Sequence, residues 1–140
     1  MDRAQFDDYI ARFNAQDMTA FDAYLHPDMR CLNGTLGISG VEGFKRHYQQ
    51  IWSTFDEALT VERFIGDADT VAIRMWAHFT ATRDDDASMF GPVGRGDAFD
   101  FRGVIMYELS DGRFTDIQVA YNSFSSTTAD GRSQELGVPH

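Results

Sequence analysis

Thr70-Val71-Ala72-Ile73-Arg74-Met75-Trp76-Ala77-His78-Phe79-Thr80 is the stretch that decides the fold. Successive side chains of a strand point to opposite faces. One set here, Val71, Ile73, Met75, Ala77 and Phe79, is apolar throughout. The other, Ala72, Arg74, Trp76, His78 and Thr80, is mixed. Such alternation predicts a strand, about residues 70 to 82, with one face on a core.

The same period continues downstream. A strand is predicted over about 97 to 109, with Phe99, Phe101, Gly103, Ile105 and Tyr107 on the inner face. Asp111-Gly112 is a hairpin signal. It leads to a strand over about 113 to 124 with Ile117, Val119 and Tyr121 inward. Upstream, a strand of about 58 to 66 turns through Gly66-Asp67-Ala68-Asp69. Asp84-Asp85-Asp86 opens a polar, glycine-containing loop.

The first half of the chain has a helical period. Phe6, Tyr9, Ile10 and Phe13 fall at i, i+3, i+4 and i+7, one apolar stripe, with Asp2 placed to cap its start. Asn14-Ala15-Gln16-Asp17 breaks this helix. A short second helix carries Phe21, Tyr24 and Leu25 and stops at His26-Pro27, because the residue before proline resists helical geometry. Met29 to Leu32 reads as a short strand before the turn at Asn33-Gly34. Ser39 and Glu42 have capping-box spacing and open a third helix with the stripe Phe44, Tyr48, Ile51, Trp52 and Phe55.

Helices first and strands later specify α+β. The expected architecture is three N-terminal helices packed on a curved antiparallel β-sheet, forming a cone with an apolar pocket. Residues 1–125 are expected to make the cone and 126–140 a partly ordered tail.

Composition narrows the function. The chain has 140 residues, 43% of them hydrophobic, with twelve Phe and a formal net charge of -10. Nucleic-acid binding depends on Lys and Arg neutralising phosphates, so nucleic acid and anionic membrane surfaces are not expected partners. The single cysteine, Cys31, allows neither an internal disulfide nor a cysteine metal cluster. The acidic start lacks the features of a signal peptide, and no run approaches membrane-helix length. A cytoplasmic protein without cofactor or metal is expected. The mixed outer face, with Trp76, Val104 and Met106 among charges, suits a second subunit, and a homodimer through it is expected.

Several short motifs share an order along the chain: Phe13-Asn14-Ala15, His26-Pro27-Asp28, Ser39-Gly40-Val41-Glu42-Gly43-Phe44, Phe101-Arg102-Gly103, Asp111-Gly112-Arg113-Phe114 and Gln134-Glu135-Leu136-Gly137-Val138. In this order the chain resembles the SnoaL-like group of the nuclear transport factor 2-like fold, named for a polyketide cyclase. The resemblance implies the cone. It also implies an acid/base Asp on the last strand, supported by a His on its neighbour. Those positions fall at Val119 and Ile105, which transfer no proton. A cyclase activity therefore does not follow from the fold.

Other candidates have structural explanations. His26, His47, His78 and His140 read first as structural residues. Asp84, Asp85 and Asp86 read as solvated, and Cys31 as a small buried residue. The interior tyrosines are more informative, because a buried hydroxyl usually finds a partner. The expected ligand site is Tyr9, Phe13, Tyr48, Trp52, Met75, Phe101, Ile105, Tyr107, Val119 and Tyr121, with Asn33 at the mouth. A small, largely apolar molecule is the expected partner. The alternatives are a cyclase, isomerase or dehydratase on the same fold, using a pocket group of shifted pKa, and an interaction module with a filled core.

Overall fold

A computed structural model describes residues 1–137, so Val138 and His140 lie outside the described residues. Helix α1 spans Arg3–Asn14. Asp2 caps it as expected: its carboxylate accepts from the Gln5 backbone at 2.8 Å, and Gln5 Oε1 accepts from the Asp2 N–H at 3.1 Å. Phe6, Tyr9, Ile10 and Phe13, the expected stripe, are its buried residues. Helix α2 is Thr19–Tyr24.

Strand β1, Leu25–Asn33, starts at once. Leu25 is extended and not helical. Pro27 is tolerated in the strand because the register on its neighbour breaks between Leu25 and Arg30, where no ladder N–H is needed. Strand β2, Leu36–Ser39, folds back on β1, a pairing not expected from the sequence. Helix α3, Gly40–Trp52, follows. Ser39 makes no side-chain cap to it, contrary to the capping-box spacing, because Ser39 is held in the β2 ladder opposite Arg30.

The remaining strands are β3 (Phe55–Gly66), β4 (Thr70–Ala81), β5 (Asp85–Ser88), β6 (Gly91–Val93), β7 (Ala98–Ser110), β8 (Arg113–Thr127) and β9 (Ser133–Glu135). Phe55, expected on the third helix, opens β3 instead. The polar loop after Asp84 contains the small β5–β6 hairpin, with Met89 and Phe90 at its tip.

The large sheet has the order β2-β1-β8-β7-β4-β3, with β9 pairing on β8. It is mixed, not wholly antiparallel, because β1 and β8 run parallel. The pairing joins segments some 85 residues apart, which local periodicity cannot report. The fold class is otherwise as expected: α+β, three helices against a curved, open sheet. The predicted inner set is buried, from Val71 at 0% exposure to Phe79 at 6%. Among the described residues no helix is long and apolar enough to cross a membrane.

Two details shape the cone. Asn14 at the end of α1 pairs with edge strand β3 like a piece of backbone: its amide donates to the Leu59 carbonyl at 2.9 Å and accepts from the Leu59 N–H at 2.8 Å. A bulge between β7 and β8 leaves Asn122 unpaired, with Gly103 opposite Tyr121 and Arg102 opposite Ser123. Gly103 has no substitute there. A Cβ would lie 2.3 Å from the Ala120 carbonyl oxygen and 2.5 Å from the Tyr121 Cα. Beyond the bulge the alternation changes phase, so Phe124 turns inward and stacks on Phe101 at 4.2 Å.

Candidate functional site

Between the helices and the inner sheet face lies a cavity of about 110 Å³. Each wall comes from a different element. α1 supplies Tyr9 and Phe13, and α3 supplies Phe44, His47, Tyr48 and Ile51. Cys31 and Asn33 come from β1, Glu57 and Leu59 from β3, and Met75, Ala77 and Phe79 from β4. Phe101, Ile105 and Tyr107 of β7 and Ile117 and Val119 of β8 form the floor, and the hairpin tip adds Met89 and Phe90.

Of the ten residues expected to bind a ligand, eight line this cavity: Tyr9, Phe13, Tyr48, Met75, Phe101, Ile105, Tyr107 and Val119. Asn33 lines it as well. Trp52 and Tyr121 do not. Trp52 stands behind the wall, against the rings of Phe13 at 5.4 Å and Phe21 at 6.1 Å. Tyr121 meets the ring of Phe101 edge-on at 4.9 Å.

The decisive side chain escaped the sequence reading. Glu57 points into this cavity, and its Oε1 accepts from the Trp52 indole N–H at 3.2 Å. The residue is only partly buried, but the surface it retains is part of the cavity lining. Burial among apolar groups disfavours the charged carboxylate and pushes the pKa up to about 8, opposed only by the Trp52 hydrogen bond. Glu57 therefore carries its proton at neutral pH. Periodicity holds the signal: Phe55, Leu59 and Val61 alternate with Asp56, Ala58 and Thr60 and put Glu57 on the same inner face. A strand beginning at about 58 leaves Glu57 out, whereas β3 begins at Phe55.

The neighbouring groups are held in their neutral forms too. Burial raises Tyr9, Tyr48 and Tyr107 above the ordinary tyrosine value. It lowers His47. Burial, and then the charge of Asp116, pushes the Cys31 thiol up to about 12, so Cys31 is not a thiolate nucleophile. Among the described residues no buried side-chain nitrogen or oxygen lacks a partner. The site is thus an apolar chamber with one protonated carboxyl and three phenolic hydroxyls on its walls. It can offer hydrogen-bond donors, and Glu57 can move a proton near neutral pH.

The SnoaL-like domain family matches residues 6–117. The chain belongs to that family. Solved structures agree on the fold. A provisionally designated polyketide cyclase from Pseudomonas putida KT2440 is 22% identical, with a TM-score of 0.71 over 84% of this chain and 89% of that one. TsrD from Streptomyces laurentii is 24% identical, with a TM-score of 0.66 over 84% and 87%. An LEH-like epoxide hydrolase of M. tuberculosis is 15% identical, with a TM-score of 0.67 over 84% and 80%. Among curated proteins none matches the sequence. In this SnoaL-like chain the last-strand position and its neighbour hold Val119 and Ile105 on the cavity floor, and the cavity's carboxyl comes from β3 instead.

Proposed function

We propose that this SnoaL-like chain binds a small, largely apolar molecule in its cone, with the polar group of that molecule turned toward Glu57. The observation that carries this is a cavity with apolar walls and one carboxyl whose protein partner is a single indole N–H. Ligand sites typically combine apolar walls with a few placed polar groups. A dry cavity of about 150 Å³ takes up benzene, so about 110 Å³ suits one ring or a short branched chain. A polycyclic molecule requires the Met89–Phe90 hairpin tip to move.

The test is an NMR titration that follows the methyl groups of Met75, Ile105 and Ile117 with one-ring, two-ring and four-ring ketones. Saturable shifts with the one-ring compounds are expected. No shift with any of them overturns the proposal.

A second reading is an enzyme, and the raised pKa of Glu57 favours it. An acid poised near neutral pH is suited to proton transfer. Glu57→Gln then abolishes turnover of a discovered substrate while leaving its binding within about threefold, a split between catalysis and binding. Unchanged turnover removes Glu57 from the chemistry.

The outer face of the sheet exposes Val104 and Met106 among charged neighbours, and we propose it as a homodimer surface. Light scattering that gives a monomer mass at micromolar concentration overturns this.

A further inference from the structure

We propose that the polar group the cone selects is a protonated amine, with Glu57 as its counter-ion. This rests on the pocket reading above and adds the chemical class of the ligand.

The lining supplies the argument. Among the described residues Glu57 is the only side chain there that can carry a negative charge near neutral pH, and none of them places a Lys or Arg on the lining. The groups facing it from the surrounding elements are Tyr9 on α1, His47 and Tyr48 on α3, Cys31 on β1 and Tyr107 on β7. None offsets a carboxylate: the tyrosines and the cysteine stay protonated and neutral, and burial disfavours a charged His47. An anionic ligand has nothing here to pair with.

An ammonium ion has several partners. Its N–H groups can donate to Glu57 and to phenolic oxygens of the lining, and aromatic ring faces attract a cation, most strongly when it is desolvated. Tyr9 and Phe13 stand 6.3 Å apart, and Phe13 and Tyr48 5.0 Å apart, so the rings are grouped on one side of the chamber. The chain's net charge of -10 also favours the approach of a cation.

The proton balance is simple. In water an alkylamine titrates near about 10 and a glutamate near about 4.3, so the nitrogen keeps the proton in the pair. An amine that enters as ammonium expels the Glu57 proton to solvent. An amine that enters as free base takes that proton, and none is released. No covalent bond forms or breaks.

The test uses the full chain and three one-ring probes of matched shape: benzylamine, benzyl alcohol and benzoate. Affinities come from NMR titration at pH 7, and proton release from calorimetry in buffers of different ionisation enthalpy. Benzylamine is expected to bind at least about tenfold more tightly than benzyl alcohol, with benzoate weakest. One proton is released per amine bound. Benzylamine affinity falls about tenfold per pH unit below Glu57's pKa, because the carboxyl must first lose its proton. In Glu57→Gln the amine's advantage over the alcohol is expected to disappear.

Equal affinities for amine and alcohol, or an amine affinity unchanged in Glu57→Gln or from pH 7 to pH 5, overturn the amine inference and leave the apolar pocket standing. Failure of all three probes to bind overturns both.

Discussion

Strand β3 carries two glutamates with opposite surroundings. Glu62, at the bulge opposite Arg74, is on the outer face, where it accepts from Arg74 Nε at 3.1 Å and Arg102 Nη1 at 3.0 Å. Nearby, Asp100 accepts from the Trp76 indole at 2.6 Å, and His78 Nδ1 lies 2.7 Å from it. Arg102 covers the Trp76 ring at 4.6 Å. Every carboxylate of this cluster has a cation or a strong donor, and water besides. Glu57, five residues earlier, faces rings and aliphatic groups and has one indole N–H. The two residues have the same side chain and the same strand. The difference teaches that a carboxyl's chemistry is set by what the other elements bring against it, not by its own segment.

The contrast depends on the sheet keeping its two faces in phase, and the largest expected effect comes from disturbing that. Gly103→Ala forces a Cβ into the Ala120–Tyr121 backbone. It is expected to cost about 4 kcal/mol or more, read by urea denaturation, with the inner-face NMR signals displaced. A loss below about 1 kcal/mol shows that the bulge is not needed to hold the register.

The next effect tests the inner glutamate directly. Glu57 has a folded-state pKa of about 8 against an ordinary 4.5. Between these values the folded chain holds a proton that the unfolded chain has released, so stability falls as pH rises through that window and levels off above it. The slope reaches at most about 1.4 kcal/mol per pH unit. Glu57→Gln removes it, so the variant is expected to gain on the wild type from pH 5 to pH 8 in thermal melts. Parallel wild-type and variant curves show that Glu57 is not desolvated.

Trp52 sharpens the comparison further. Its N–H is the one contact opposing the burial effect on Glu57. Trp52→Phe is expected to move the Glu57 pKa higher still, followed by carboxyl carbon NMR. A fall in that pKa means water reaches the carboxyl once the indole is gone.

The smallest effect lies outside. Glu62 bridges Arg74 and Arg102, which are 62% and 51% exposed, and exposed ion pairs contribute about 0–1 kcal/mol. Glu62→Gln is expected to change stability by less than about 1 kcal/mol, and by less again at high salt. A larger loss marks this face as more than a solvated surface, in line with its proposed role as a subunit contact.

Much of the site was readable before the fold. Met75, Ile105, Tyr107 and Val119 line the cavity because strand alternation is strict, and Tyr9, Phe13 and Tyr48 because helical stripes face a core. Trp52 lies on the expected apolar side of α3 but behind the chamber wall. It is the last helical residue, and its indole turns to β3 instead of the chamber. Tyr121 fails for a different reason: it sits beside the bulge, where the alternation changes phase. Glu57 lies close to a boundary that local pattern leaves blurred, since only Ser53 and Thr54 separate α3 from β3.

Periodicity, capping and turn chemistry act over a few residues, so the sequence by itself determined the three helices, the long strands of the sheet and which of their faces is apolar. The parallel pairing of β1 on β8, the hairpin tip that brings Phe90 to the cavity, and the enclosure of Glu57 by α1, α3, β1 and β7 join residues far apart in the chain. Only the tertiary structure decided these, because desolvation of a carboxyl is a property of the space around it, and that space is assembled from segments that carry no local record of one another.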